Sequence, residues 1–225
     1  TEATPKPEGG INDEAYISAI KDGKYRTAQR MVDEAFGLQS PKTPLSDKQI
    51  SDIVSTLDHA TPRNESTRKY LRNEYAKELQ KNGIEYIDAY HVTDKELESF
   101  GKNGIKGSSL DYIGRSEGTL REPSVYLFLD PDDISTGYNG ITGAKNNISN
   151  IVHVRIPVSR IEDILWDSNF NVSFGTYSSV RMIGDIPSKW IKGQYKYAPP
   201  FILDENKKIV PLSRRILSRP NQSRP

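Results

Sequence analysis

Apolar residues recur at helical spacing through the first third of the chain, then give way to short runs broken by Gly, Pro, Asn and Asp. A helix is predicted over residues 13–21. Ala28, Met31, Val32 and Ala35 predict a second over 25–36. Asp22 and Gly23 supply the turn between them, and Gly37 a stop. Residues 38–45 contain two prolines and read as a linker. Ser46 caps a predicted helix over 46–57, whose apolar face is Ile50, Ile53, Val54 and Leu57. A fourth helix is predicted over 64–81, with Tyr70, Leu71, Tyr75 and Leu79 as its buried stripe and Asn82-Gly83 as its end.

The second texture predicts strands over 86–91, 124–129, 151–156, 179–183 and 194–197. Between them, Thr93 and Glu96 have the spacing of a capping box that opens a short helix. Pro131 is placed to begin another helical turn, and residues 159–164 read as a short helix or turn. The expected fold class is therefore α+β, with a helical region over 11–83 and a small sheet domain over 84–205. Residues 1–10 read as a flexible linker, and residues 206–225 as a basic, disordered tail. Arg214, Arg215, Arg219 and Arg224 in that tail are read either as solvated charge or as a hold on an acidic partner or nucleic acid.

Composition narrows the chemistry. With 31 basic and 30 acidic side chains the formal net charge is +1, so no global charge announces a nucleic-acid or membrane partner. The chain has no cysteine, which excludes disulfides, thiolate zinc sites and a cysteine nucleophile. Its three histidines make a histidine-based metal site an unfavoured reading. No apolar stretch reaches the length of a transmembrane helix. The chain opens on TEATPKPEGG without a Met, which predicts a fragment of a longer protein, with targeting information lying outside it.

Candidate chemistry gathers at three strand-associated segments. The first is Ala89-Tyr90-His91-Val92-Thr93, followed by Asn103-Gly104-Ile105-Lys106-Gly107. The second is Ser124-Val125-Tyr126-Leu127-Phe128-Leu129-Asp130, and the third runs from Ser179-Val180-Arg181 to the corner Gly184-Asp185-Ile186-Pro187. In this order the series resembles the ADP-ribosyltransferase superfamily, particularly its compact bacterial toxin branches. The likeness covers residues 86–191. It implies a mixed or antiparallel split sheet and NAD as a substrate, with no metal.

The resemblance implies roles residue by residue. His91 would bind the adenosine-side ribose, supported by Val92 and Thr93; a neutral imidazole offers one donor and one acceptor, which suits a sugar diol. The competing reading is a strand-end histidine satisfied by backbone. Tyr126 would wall the nicotinamide site, and Tyr138, twelve positions later, would stack on the ring. Both are also ordinary core tyrosines on composition. Arg115 or Arg121 would meet the pyrophosphate, or carry plain solvent-facing charge. Active relatives carry Glu eight residues before the Pro of the Ile-Pro corner, and here that position is Ser179. Serine cannot supply the negative charge that stabilises an opening sugar. Asp130 is a possible substitute. The other readings are a shifted register, an enzyme that works without this acid, and an inactive chain.

The expected activity is transfer of ADP-ribose to a protein or nucleic-acid acceptor. The alternatives are an inactive NAD- or nucleic-acid-binding member of the fold and an RNA 2′-phosphotransferase-like enzyme. A nuclease is a weaker reading, because His59 and His153 lack a partner pattern. Residues 12–36 are similar to a segment of phage polyvalent and injected proteins, which implies a secreted or delivered effector acting in a target-cell cytoplasm. A toxin of that kind implies an immunity protein as partner. Without the resemblance, the same residues are a two-helix hairpin.

Overall fold

The computed structural model describes residues 10–59, 65–108, 123–142, 149–167, 170–171 and 175–217. Four helices come first: α1 (Asp13–Lys21), α2 (Tyr25–Phe36), α3 (Asp47–His59) and α4 (Glu65–Lys81). Asn12 caps α1 by accepting the Ala15 N–H at 2.9 Å. Ser46 and Gln49 form a reciprocal capping box ahead of α3: Gln49 Oε1 accepts the Ser46 N–H at 2.9 Å and Ser46 Oγ accepts the Gln49 N–H at 3.3 Å. The strands are β1 (Tyr86–Thr93), β2 (Ser124–Phe128), β3 (Ser149–Pro157), β4 (Ile164–Trp166), β5 (Ser179–Ile183) and β6 (Ile191–Tyr197). Helix α5 (Asp132–Thr142) follows β2, and a short helix α6 (Leu212–Leu217) follows β6. Among the described residues no helix is long and apolar enough to cross a membrane.

The six strands form one sheet in the order β4-β5-β2-β1-β3-β6, and every recorded pair is antiparallel. The fold is α+β, and the mixed sheet named as one option is not what forms. β1 and β3 pair along the whole of β1, from Tyr86↔Pro157 to Thr93↔Asn150, and β2 and β5 pair from Ser124↔Ile183 to Phe128↔Ser179. Among the described residues β1 and β2 share the single backbone pair Tyr90↔Phe128. The sheet is thus two three-stranded halves joined at a narrow seam.

Alternation sorts the two faces. Ile87, Ala89, Val125, Leu127, Val152, Val154, Ile156, Val180 and Met182 point to one side, where Ile50, Ile53 and Leu57 of α3 and Ala76 and Leu79 of α4 complete the main core. Tyr90, Phe128 and Ile151 lie on the other side with Ile134, Phe170 and Tyr197. The α1–α2 hairpin belongs to neither: Tyr16, Ala19, Ile20, Ala28 and Val32 pack with Ala198 and Leu212 in a third cluster. The helical region is therefore shared out between two cores.

Four expectations need correction. Leu79 is buried as expected and Leu71 and Tyr75 are half-buried, but Tyr70 is 65% exposed, and Arg72 and Ala76 are buried beside Leu79, with Arg72 Nη1 donating to the Glu162 carbonyl at 2.6 Å. Thr93 does not close a capping box with Glu96; its hydroxyl accepts the Lys95 N–H at 3.2 Å, and the following short 3₁₀ helix (Leu97–Phe100) has no side-chain cap. The strand Ile164–Trp166 was not foreseen. Finally, residues 206–217 are no free tail. Arg215 is 6% exposed and donates to Tyr16 Oη at 2.8 Å and to the carbonyls of Pro199 and Pro200 at 2.7 and 3.3 Å, which docks α6 on the hairpin. Arg219 and Arg224 lie outside the described residues.

Candidate functional site

The seam is where backbone pairing gives way to side-chain chemistry. One residue beyond the Tyr90↔Phe128 pair, His91 is partly exposed, and its Nδ1 lies 2.9 Å from the Tyr126 carbonyl oxygen. A carbonyl can only accept, so Nδ1 carries the proton and Nε2 is left as an acceptor. Desolvation pushes the imidazole pKa below its ordinary value and the Lys95 charge adds to this, while the bond to Tyr126 opposes it. The ring is therefore neutral near pH 7. Two positions on, the Thr93 hydroxyl accepts from the Lys95 N–H and keeps its own proton to donate. Val92 packs against the Tyr90–Phe128 cluster.

Tyr126 is partly buried in the middle of β2, directly opposite Arg181 of β5. Alternation places it with Ser124 and Phe128, whereas His91 alternates with Ile87 and Ala89. The structure therefore joins His91 to the backbone of Tyr126, not to its ring. Tyr138 belongs to α5, but its side chain lies outside the described residues, as do Arg115, Arg121 and the side chain of His59.

Ser179 opens β5 at 2% exposed. Asn171 brackets its backbone: Oδ1 accepts the Ser179 N–H at 3.0 Å, and Nδ2 donates to the Ser179 carbonyl at 2.9 Å. Asp130 lies in the same corner. Its N–H donates to Ser178 Oγ at 3.0 Å, its Oδ1 accepts the Asp132 N–H at 2.9 Å, and its Oδ2 accepts the Tyr177 hydroxyl at 2.9 Å. Ser178 Oγ donates in turn to Asp133 Oδ2 at 2.6 Å, and that oxygen also accepts the N–H groups of Tyr177 and Ser178. Burial and the bond to Asp130 push the Tyr177 phenol well above its ordinary pKa, so it remains a donor. The corner thus sets a carboxylate beside the start of β5, where position 179 provides none.

Sequence reading named Asp130 and Ser179 but missed Tyr177, Ser178, Asp133 and the α2 residue Arg26, whose guanidinium lies 3.6 Å from Asp130 and 3.5 Å from Asp133. Only Asp132-Asp133, acidic residues at the start of a helix after a proline, gave a local signal. A second unpredicted group lies across β1 and β3. His153 Nε2 is 2.6 Å from Asp88 Oδ1 and stacks on Tyr90 at 5.0 Å, and Arg155 Nε donates to the same Asp88 oxygen at 3.0 Å. Among the described residues no group of three or more His, Asp or Glu side chains is arranged to hold a metal ion.

Compared with protein-family models and with curated proteins, the chain matches none.

Proposed function

We propose that the chain binds NAD at the seam between the sheet halves, cleaves the bond between nicotinamide and its ribose, and transfers ADP-ribose to a macromolecular acceptor. The observation that carries this reading is the state of His91: a neutral imidazole beside a break in the sheet, its Nδ1–H committed to the Tyr126 carbonyl and its Nε2 left to accept a ribose hydroxyl proton. The ordered motif series of residues 86–191 supports it.

The chemistry asked of the chain is modest. The glycosidic C–N electron pair departs with nicotinamide, the ribose develops positive charge at C1, and an acceptor O–H or N–H attacks that carbon and releases its proton. Protein groups contribute by holding the dinucleotide and stabilising charge. In this reading Asp130, pinned by Tyr177 and the Asp132 N–H, supplies the negative charge that Ser179 cannot. The uncharged, buried Ser179 also favours a second reading, a member of the fold that binds NAD without turning it over.

One experiment separates them. The protein is incubated with labelled NAD, with and without cell lysate. Label in protein or nucleic acid supports transfer and identifies the acceptor class, free ADP-ribose alone supports hydrolysis, and binding without either supports the second reading. His91→Ala is expected to weaken NAD binding about 10-fold, the scale of one or two hydrogen bonds. His91→Gln, which can still donate to Tyr126 and accept, should recover part of that loss. Unchanged affinity in a folded His91→Ala protein would remove NAD from the seam.

A further inference from the structure

We propose that the α1–α2 hairpin is a displaceable cover over the β2–α5–β5 corner, latched by Arg26, and that releasing it opens the corner to NAD; this rests on the function proposed above. Three observations lead there. First, the apolar face of the hairpin is satisfied elsewhere. Its buried residues pack with Ala198 and Leu212, with Tyr25 stacked on Phe201 at 5.9 Å, and none of them belongs to either core of the sheet.

Second, what joins α2 to the corner is charge. The Arg26 guanidinium lies 3.6 Å from Asp130, 3.9 Å from Asp132 and 3.5 Å from Asp133. The side chain is 52% exposed, and no hydrogen bond of Arg26 is recorded among the described residues. A half-exposed cation held over carboxylates without a directed bond is screened by salt and readily displaced. The hairpin also brings repulsion: burial and the neighbouring Asp132 help to hold the Asp33 carboxyl above its ordinary range, against bonds from Ser40 and Gln29.

Third, what lies beneath is what the proposed chemistry needs. Asp130 is a carboxylate beside the start of β5, next to Asp133 on the Ser178 N–H, and Arg26 lies against the same Asp130 Oδ2 that Tyr177 holds. A guanidinium there neutralises the charge that the proposed chemistry asks Asp130 to present to an opening ribose, so latched and productive arrangements exclude each other.

The test uses the full chain with Arg26→Ala and Arg26→Lys. NAD affinity is measured by calorimetry at low and high salt, together with deuterium uptake of segment 175–179, whose Tyr177 and Ser178 amides are bonded to Asp133. Arg26→Ala is expected to tighten NAD binding about 5-fold and to speed exchange of that segment by a similar factor. High salt should do the same to the parent protein, and Arg26→Lys should stay close to it. Unchanged exchange in Arg26→Ala shows that Arg26 latches nothing and overturns the proposal. Faster exchange with unchanged NAD affinity shows a latch that masks nothing and overturns it too. If NAD binds and His91→Ala weakens it, the function stands through either failure; if no variant binds NAD, function and cover fall together.

Discussion

Replacing Gly104 by alanine isolates a backbone contact on which the frame of the site depends. Gly104 has φ +65°, and an added Cβ would sit 1.9 Å from the Ile186 carbonyl oxygen and 2.9 Å from the Ser188 nitrogen. The next residue, Ile105, exchanges two backbone hydrogen bonds of 2.9 Å with Ile186, tying the loop after β1 to the corner after β5. The left-handed conformation costs a non-glycine residue about 1–2 kcal/mol. The oxygen must also retreat by about 1.5 Å to reach ordinary contact, which lengthens or breaks both bridge bonds at about 1 kcal/mol each. The sum is about 3–4 kcal/mol, and with a transition of this size the melting temperature should fall by about 6–15 °C. Gly23 is the control: φ is +71° but nothing lies within 4 Å of its added Cβ, so Gly23→Ala should cost only the conformational part, about 1–2 kcal/mol. Urea titrations of both variants give the difference directly. Equal losses in the two would show that the clash relaxes freely and that the Ile105–Ile186 bridge does not fix this loop.

Two further outcomes are expected. Burial alone would raise the Asp88 pKa, but bonds from His153 and Arg155 more than offset it and hold the carboxyl below its ordinary value, so its stabilisation is complete above about pH 4 and is lost as the pH falls through the folded value. Asp88→Asn should cost about 2–3 kcal/mol at pH 7 in urea titrations, and the gap to the parent protein should close in acid; a gap independent of pH would show that the charge of Asp88 is not what matters. Arg215→Ala takes the donor from the buried Pro199 carbonyl and removes the link from α6 to Tyr16, whose hydroxyl still donates to the Pro200 carbonyl; it should cost about 2 kcal/mol and raise proteolysis near residue 212, whereas the wild-type melting curve retained by the variant would restore the free-tail reading.

What could be read from the chain beforehand was whatever its neighbours in sequence decide. The bounds of α1, α2 and β5 follow from spacing and from punctuation such as Asp22-Gly23 and Gly184. β4 escaped because Ile164, Leu165 and Trp166 become a strand only by pairing with Met182, Arg181 and Val180. In α4 the stripe held at Leu79 and failed at Tyr70, while the buried Arg72 is invisible to an apolar pattern. α6 was hidden for a related reason, since Arg215 looks like solvated charge until Tyr16, 199 residues earlier, is brought beside it. At the candidate site, His91 and Thr93 stood in one segment and could be named, but the Asp130 corner draws on α2, β2, α5 and β5. A network assembled from residues 26, 130, 133, 177 and 178 has no period or motif to announce it.

The seam and the hairpin are tied through a residue that the sequence reading assigned to a plain linker. Tyr90, wholly buried at the single β1–β2 backbone pair among the described residues, donates its hydroxyl to the Lys42 carbonyl at 3.1 Å, and burial pushes that phenol far above its ordinary pKa, so the bond persists across the accessible pH range. Pro41 and Leu45 on either side are buried as well. The chain leaving α2 is thereby anchored at the seam before α3 begins. A hairpin released from the corner would keep this tether at Lys42 as well as its contacts with Ala198 and Pro200. Release of Arg26 would uncover Asp130 while leaving the Tyr90↔Phe128 pair and the neighbouring His91–Tyr126 bond as they are. That asymmetry is why the Arg26 and His91 substitutions should act independently on NAD affinity, their effects adding in the double variant; strong non-additivity would mean that hairpin and seam move as one body.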